Sequence, residues 1–467
     1  MKQNADGTPS RSLRNVDALP LLGSMIAYLR DPLGFLIRTR KREGDVATFR
    51  LLDRKFLFVS DPALIEQVLV KQSARFSKDW FARDLKRVLG EGLLTSEGDF
   101  WKRQRRLMSP AFHRERLAEY AAVMVERTER ALAEWSVGEE RDIHHDFMEL
   151  TLDIVARTLF SADVEGVGAV IGPALDAVLD WYSNPILVSN PWLMSTPLPA
   201  ARRHREAIAA MRGIIDGIIR QRRATPDPDN HDLLAMLLAA QDEDGERMTD
   251  AQVRDEVLTL FLAGHETTAL TLSWTTLLLC QHPEVTKRLR EEADAVASGR
   301  PLAYGDVPKL VYAEAVVQES MRLHPPAWAI GREALEDFEL GGRRYPKGLA
   351  IFLSPWSVHR DERWFSEPDR FHPDRWLDGL AKRLHKFQYF PFGGGPRICI
   401  GNAFAMMESV LLLSTFARRF EVTLAPSARI AARPAITLRP AHGVRVVLRA
   451  APKSDHDPAH DPAPTTP

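Results

Sequence analysis

A mainly α-helical fold with a small β-rich lobe is the class that the sequence predicts, on three observations. Apolar residues recur at helical spacing through most of residues 99–323, and the run 249–280 is apolar on several faces at once, as a helix crossing an interior would be. Period-two alternation is confined to short pieces in 46–60, 328–358 and 421–448. Asp31-Pro32 and Asp61-Pro62 are helix-start pairs, an acidic cap followed by a proline whose missing N–H costs nothing in the first turn.

The elements follow in chain order. Residues 1–18 are polar and expected to be disordered. The first apolar stretch, LPLLGSMIAYL (19–29), reads either as the lip of a pocket or a membrane-dipping edge, or as a segment packed on its own core. A helix should run from Asp31-Pro32 to Glu43, VATFRLL and KFLFVS should form a hairpin, and Asp61-Pro62 should cap a second helix. Residues 73–99 read as a long irregular span, a kind that is often functional. Helices are predicted for about 114–134, 144–160 and 199–223, with the proline-broken apolar connector WYSNPILVSNPWLMSTPLP before the last and the turn TPDPDN after it. A helix at 311–323 ends at His324-Pro325-Pro326. Turns at Gly341-Gly342 and Lys347-Gly348 interrupt short strands, 365–390 reads as coil, 421–448 as terminal hairpins, and the tail 451–467 as disordered.

Composition excludes several classes. The 467 residues are 45% hydrophobic and 27% charged with a net charge of -1, an ordinary globular balance without a basic excess for nucleic acid. By length alone about three domains would be expected. Two cysteines in no paired spacing exclude a disulfide framework and fit a reducing cytoplasm. No apolar run approaches the roughly 18 residues of a membrane span.

The chemistry concentrates in three stretches. FPFGGGPRICIG (390–401) sets Cys399 behind Gly393, Gly394 and Gly395 and ahead of an apolar helical segment, so that backbone N–H groups and a helix start near the sulfur would favour a thiolate. Cys280, in TTLLLC, reads instead as a small buried hydrophobe. AGHETT (263–268) breaks the central apolar run with small and polar residues. A helix deforming there, with the Thr267 hydroxyl bonded to the Ala263 carbonyl, would present Glu266 and Thr267 as an acid and an alcohol for proton transfer; a kink without chemistry is the alternative. Glu319 and Arg322 form an i,i+3 pair on an apolar helix. If buried, the pair needs a further donor, which Arg375 in FHPDRW offers. In FWKRQRRLM, Trp101 and Arg105 share one helix face suited to a buried anion.

Together these motifs resemble the cytochrome P-450 family of haem-thiolate monooxygenases, in the family's order and over nearly all of 19–449. FGGGPRICIG matches the haem-binding signature FxxGxRxCxG at Phe392, Gly395, Arg397, Cys399 and Gly401. AGHETT matches the oxygen-activating helix, Glu319/Arg322 the ExxR motif, FHPDRW the arginine-donating segment, and WKRQR the tryptophan and arginine that meet the haem propionates. The resemblance implies a cytochrome P-450 fold in one domain of 19–450 around haem b (iron protoporphyrin IX). Cys399 would be its metal ligand, with Trp101, Arg105, Ala263, Gly264, Arg332, Phe392, Gly393, Arg397 and Gly401 binding the cofactor. Glu319, Arg322 and Arg375 would be a structural triad, and His359 a structural histidine more readily than a cofactor contact. Thiolate ligation favours O–O cleavage.

The implied reaction is two-electron, two-proton activation of dioxygen and insertion of one oxygen atom into an apolar C–H bond, with Thr267 and Glu266 delivering protons. No flavin or iron–sulfur module is present, so electrons are expected from a separate ferredoxin or flavodoxin with its NAD(P)H reductase. Lys102, Arg103, Arg106, Lys382, Arg383 and Lys386 would steer that acidic partner, a solvated basic face being an equal account. The pocket is expected to be walled by Trp80, Phe81, Leu85 and Val88, by Trp181 and Ala263, and by Ala327, Trp328 and Ile330. These apolar walls favour fatty acids, terpenoids or carotenoids, while Arg83, Lys86 or Arg87 would hold a carboxylate if they are not simply exposed loop charges. A cytoplasmic monomer is expected. A peroxide-driven peroxygenase would not need the acid–alcohol pair, and a haem sensor would need neither the pair nor the thiolate.

Overall fold

The Asp31 carboxylate accepts the Gly34 N–H at 2.9 Å and Asp61 accepts the Leu64 N–H at 2.9 Å, so the helices Pro32–Glu43 and Pro62–Glu66 start where the Asp-Pro pairs place them. The computed structural model describes residues 23–162, 168–225, 232–240 and 247–452. The segments 1–18 and 453–467, residues 19–22 of the first apolar stretch, and most of TPDPDN lie outside the described residues. The chain forms two compact units.

The first unit comprises Met1–Arg87, Ala327–Arg370 and Lys382–Cys399. Its frame is a five-stranded sheet in the order Val46–Leu51, Arg54–Val59, Ala350–Leu353, Ile330–Ala334, Phe76–Ser77. The first two strands are the predicted hairpin, closed at Leu51↔Arg54 with Leu52 at φ 55. The second pairs in parallel with Ala350–Leu353, a partner almost 300 residues away that alternation could not name. Gly341 and Gly342, both at positive φ, close the small hairpin Phe338–Leu340/Arg343–Tyr345 as expected. Leu57, Val59, Ile65, Leu69, Ile351, Leu353, Phe387 and Phe390 share one apolar core. The span 73–87 is not irregular: it holds a 3₁₀ turn, the strand Phe76–Ser77 and the short helix Trp80–Asp84, capped by Asp79 accepting Ala82 N–H at 3.1 Å.

The second unit comprises Val88–Pro326, Phe371–Ala381 and Ile400–Pro467. It is helical around Asp250–Gln281, whose N-cap Thr249 and Gln252 form a reciprocal capping box. This helix packs on Ile143–Phe160, Pro199–Ala224, Val311–Leu323 and Asn402–Arg419. Predicted helix ends agree with Arg114–Ala133, Ile143–Phe160, Pro199–Ala224 and Val311–Leu323 to within a residue or two. Of the terminal strands, Phe420–Leu424 and Arg445–Ala450 form a three-stranded sheet with Glu140–Asp142, while Ala432–Pro434 and Leu438–Pro440 form a separate hairpin. Trp274 Nε1 donates to the Leu438 carbonyl at 2.9 Å, anchoring that hairpin to the central helix. Among the described residues no helix is long and apolar enough to cross a membrane.

Candidate active site

The cysteine loop belongs to the first unit. Gly393 and Gly395 have φ of 71 and 70, and a Cβ on Gly395 would lie 1.8 Å from the Leu69 carbonyl oxygen, one on Gly394 2.3 Å from the Phe387 ring. Only glycine lets this loop close on Leu69 and Phe387. The Cys399 N–H donates to the Phe392 carbonyl at 3.0 Å, and Ile398 N–H to that of Gly395 at 3.1 Å, which fixes the backbone while the cysteine side chain remains exposed. The following helix begins at Asn402, with Gly401 as its N-cap, three residues after the expected start at Cys399. The 3₁₀ turn Gly395–Arg397 and the Cys399–Phe392 bond account for the delay, because they commit the backbone to the loop.

In the same unit, Arg332 is 9% exposed in the sheet and donates to the Gly331 carbonyl at 2.8 Å. Asp79 lies against Gly331, where a Cβ would meet its carboxylate at 2.1 Å. Burial pushes the Asp79 carboxyl up, against the Ala82 amide and the cations Lys78, Arg332 and Arg83. Arg83 makes a two-pronged pair with Glu333 at 2.9 and 2.8 Å, and Arg87 pairs with Asp84 at 2.7 Å, so two of the three candidate carboxylate clamps, Lys86 aside, already hold carboxylates of the protein. His359 is fully buried and its Nε2 accepts the Phe390 N–H at 2.9 Å, a structural role.

AGHETT lies in the second unit. From Glu256 to Leu279 every residue of the central helix is buried except Ala263, which is exposed, and Gly264 and Thr267, which are half-buried. Positions 263, 264 and 267 are neighbours on one helix face, so a single uncovered stripe interrupts a buried helix. Thr267 Oγ1 donates to the Ala263 carbonyl at 2.8 Å, as expected, and Thr268 and Thr271 repeat the pattern at 3.3 and 3.0 Å. The assigned helix type does not change there: the helix is α from Asp250 to Gln281, since hydroxyls bonding four residues back leave the type as it is. Part of the need for Gly264 is packing, because a Cβ there would approach Val155 to 3.0 Å.

Glu266 is 5% exposed, and its Oε1 accepts from Thr437 Oγ1 at 2.6 Å and Arg439 Nε at 2.8 Å. Neither partner was legible in the sequence. Glu408 of Asn402–Arg419 is fully buried with no hydrogen bond formed at either oxygen, and burial raises its carboxyl to about 8, with Thr268 pulling the other way. The apolar periodicity of that helix breaks at Glu408, the one signal that could have marked it.

Two further motifs are joined by side-chain contacts. Trp101 is buried and Arg105 lies 5.9 Å from its ring centroid. Glu319 and Arg322 are both fully buried; Arg322 reaches both carboxylate oxygens at 2.8 and 2.9 Å and Arg375 Nε bonds Oε1 at 3.0 Å. His372 N–H at 3.0 Å and Trp376 Nε1 at 2.9 Å complete the donor set.

The expected pocket walls divide. Trp80, Phe81, Ala327 and Ile330 keep partial exposure, whereas Leu85, Val88 and Trp328 are buried. Trp181 is 1% exposed and stacks on His204 at 4.9 Å, in the packing of Gly168–Ser183 on Pro199–Ala224. The exposed large apolar residues of the connector are Ile186, Trp192 and Leu198. Lys102 and Arg106 are exposed but Arg103 is half-buried, and Lys382, Arg383 and Lys386 are exposed. Cys280 is half-buried and its thiol is pushed up to about 12 by burial, which makes it inert.

A model of the family "Cytochrome P450" matches residues 14–442. The chain belongs to the cytochrome P450 family. Among its relatives are cyclooctatin synthase of Streptomyces melanosporofaciens, 39% identical over 90% of this chain and 92% of that protein, and pentalenene oxygenase of Streptomyces avermitilis, 34% identical over 92% and 95%. A solved structure of a retinoic acid bound cyanobacterial CYP120A1 superposes with a TM-score of 0.81 at 27% identity, covering 93% of this chain and 98% of that one. The expected fold and catalytic class therefore stand: the protein is a cytochrome P450 monooxygenase, an oxidoreductase using haem, dioxygen, a substrate and a redox partner. The residues of this P450 fit a haem. An exposed cysteine on a glycine-pinned loop is the donor the group requires.

Proposed function

We propose that this P450 hydroxylates or epoxidises a neutral terpenoid, as a single cytoplasmic haem-b domain over 19–450, monomeric, with electrons from a separate ferredoxin or flavodoxin. The observation that carries the reading is the uncovered stripe Ala263–Gly264–Thr267 in an otherwise buried helix. Cys399 ligates the iron, Arg105, Arg332 and Arg397 neutralise the propionates with Trp101 adding a hydrogen bond, and Ala263, Gly264, Phe392, Gly393 and Gly401 pack against the ring. Bound haem supplies dioxygen activation and C–H oxidation. Thr267 uses its proton on the Ala263 carbonyl, which leaves its oxygen able to accept from a water and so hold a proton donor in line. When it leaves Arg439 and Thr437, Glu266 takes a proton from solvent and passes it to that water. Glu319, Arg322 and Arg375 hold the fold.

Two facts support a neutral substrate over a fatty acid. Arg83 and Arg87 are occupied by Glu333 and Asp84, so at either of these two positions a substrate carboxylate would have to displace an existing ion pair. Cyclooctatin synthase, cyclooctat-9-en-7-ol 5-monooxygenase and pentalenene oxygenase, all relatives at 34–39% identity, carry names of terpenoid chemistry. The test is spectroscopic. The reduced carbon monoxide complex should show the red-shifted Soret band of thiolate ligation, lost in Cys399→Ser, and cyclic terpenes should shift the ferric spectrum while fatty acids of equal size do not. A fatty-acid shift of equal strength would overturn the substrate class. Thr267→Ala should uncouple NAD(P)H consumption from product, and unchanged coupling would remove the relay and favour the peroxygenase reading.

A further inference from the structure

The hairpin Ala432–Pro434/Leu438–Pro440 places Arg433 directly opposite Arg439. Both arginines reach the helix Gly168–Ser183: Arg433 pairs with Asp180 at 2.7 Å and Arg439 with Asp176 at 2.9 Å, one helical turn apart. Arg439 also turns inward. Its Nε donates to Glu266 at 2.8 Å while its Nη1 holds Asp176, so one guanidinium, 11% exposed, is shared between a buried carboxylate and one that is 69% exposed. Its Nη2 is buried with no hydrogen bond, which leaves it a donor to spare when either carboxylate moves. The two attachments differ in firmness. The hairpin is anchored to the central helix by Trp274 on Leu438 and to Pro326 through the Leu438 N–H at 3.0 Å, both through its backbone. The acids on Gly168–Ser183 are exposed, and exposed pairs are weak.

We infer that Arg439 is a positioning residue whose shared guanidinium couples the helix Gly168–Ser183 to Glu266: while Asp176 holds part of the guanidinium Glu266 is loosely held, and when Asp176 withdraws Arg439 clamps Glu266. The other ionisable groups facing this cluster are His144, whose Nδ1 lies 3.1 Å from Ser273 Oγ, Asp142, and His265, whose Nδ1 donates to the Phe261 carbonyl at 2.7 Å. Burial keeps both imidazoles neutral, so neither competes for Glu266. The inference rests on Glu266 acting in proton delivery, but the coupling itself is testable without turnover.

Hydrogen–deuterium exchange of the haem-loaded protein over 168–183 is the first measurement. Asp176→Asn should speed exchange there and Glu266→Gln, which returns the whole guanidinium to Asp176, should slow it, each by about three-fold, the size of one exposed ion pair. Shifts in the same direction, or none at Glu266→Gln, would overturn the sharing. The second measurement is coupling. Asp176→Asn should lower the fraction of NAD(P)H electrons recovered in product by about three-fold and enlarge the solvent deuterium isotope effect, with peroxide-driven turnover unchanged. Adding Arg439→Lys, whose single ammonium grips Glu266 less firmly, should restore coupling. Coupling unmoved by Asp176→Asn but lost in Thr267→Ala refutes the inference and spares the proposed function; coupling unmoved in both, with the exchange shifts intact, spares the shared arginine and refutes the relay.

Discussion

Glu408 has no exposed surface and no hydrogen bond formed at its carboxylate, and its carboxyl is raised from 4.5 to about 8, chiefly by burial. Between those values the folded chain keeps a proton that the unfolded chain releases. The contribution is therefore full at pH below 4.5 and is lost as pH rises through about 8, at up to about 1.4 kcal/mol per pH unit. Glu256, whose Oε2 accepts the Leu93 N–H at 2.8 Å, is raised to about 8 for the same reason and acts with the same sign. Denaturant unfolding at pH 5.5 and 8 should thus show a smaller loss of stability for Glu408→Gln than for the parent chain, since an amide has no proton to lose; an identical pH slope would mean that Glu408 is ionised in the fold. His144, lowered to about 4 mainly by burial, acts in the opposite sense: as pH falls from 6.5 toward 4 the unfolded chain gains a proton that the fold refuses.

The helix Val311–Leu323 and the turn Asp374–Leu377 are joined by one carboxylate carrying five donors from Arg322, His372, Arg375 and Trp376. Glu319→Gln strands two buried guanidinium groups and should cost about 3–5 kcal/mol, measured by urea unfolding. A loss under 1 kcal/mol would mean that water reaches the cluster. The cysteine loop tolerates change no better. Gly395→Ala forces a Cβ onto the Leu69 carbonyl at positive φ, so holoprotein yield and the thiolate Soret band should both fall. A variant with normal haem content would show that the loop can shift away from Leu69.

For the whole molecule, partner docking should depend on cations that are actually exposed. Arg106→Glu should slow ferredoxin-driven turnover by about ten-fold at low salt, less at high salt, and leave peroxide-driven turnover alone, whereas Arg103, being half-buried, is the poorer probe. Equal loss in both assays would assign Arg106 to the fold. Much of this protein was readable in one dimension because the deciding interactions are short in sequence. Helix starts follow from Asp-Pro caps, the Thr267–Ala263 and Glu319–Arg322 bonds from helical spacing, and the cysteine loop from three adjacent glycines. Other features depend on partners brought together only by chain closure. Glu266 finds Thr437 and Arg439 across 171 and 173 residues, Arg54–Val59 finds a parallel strand near residue 350, and Trp181 stacks on His204. Local geometry is written in the order of residues. Which acid meets which arginine is settled by packing, where burial selects among many chemically equal partners.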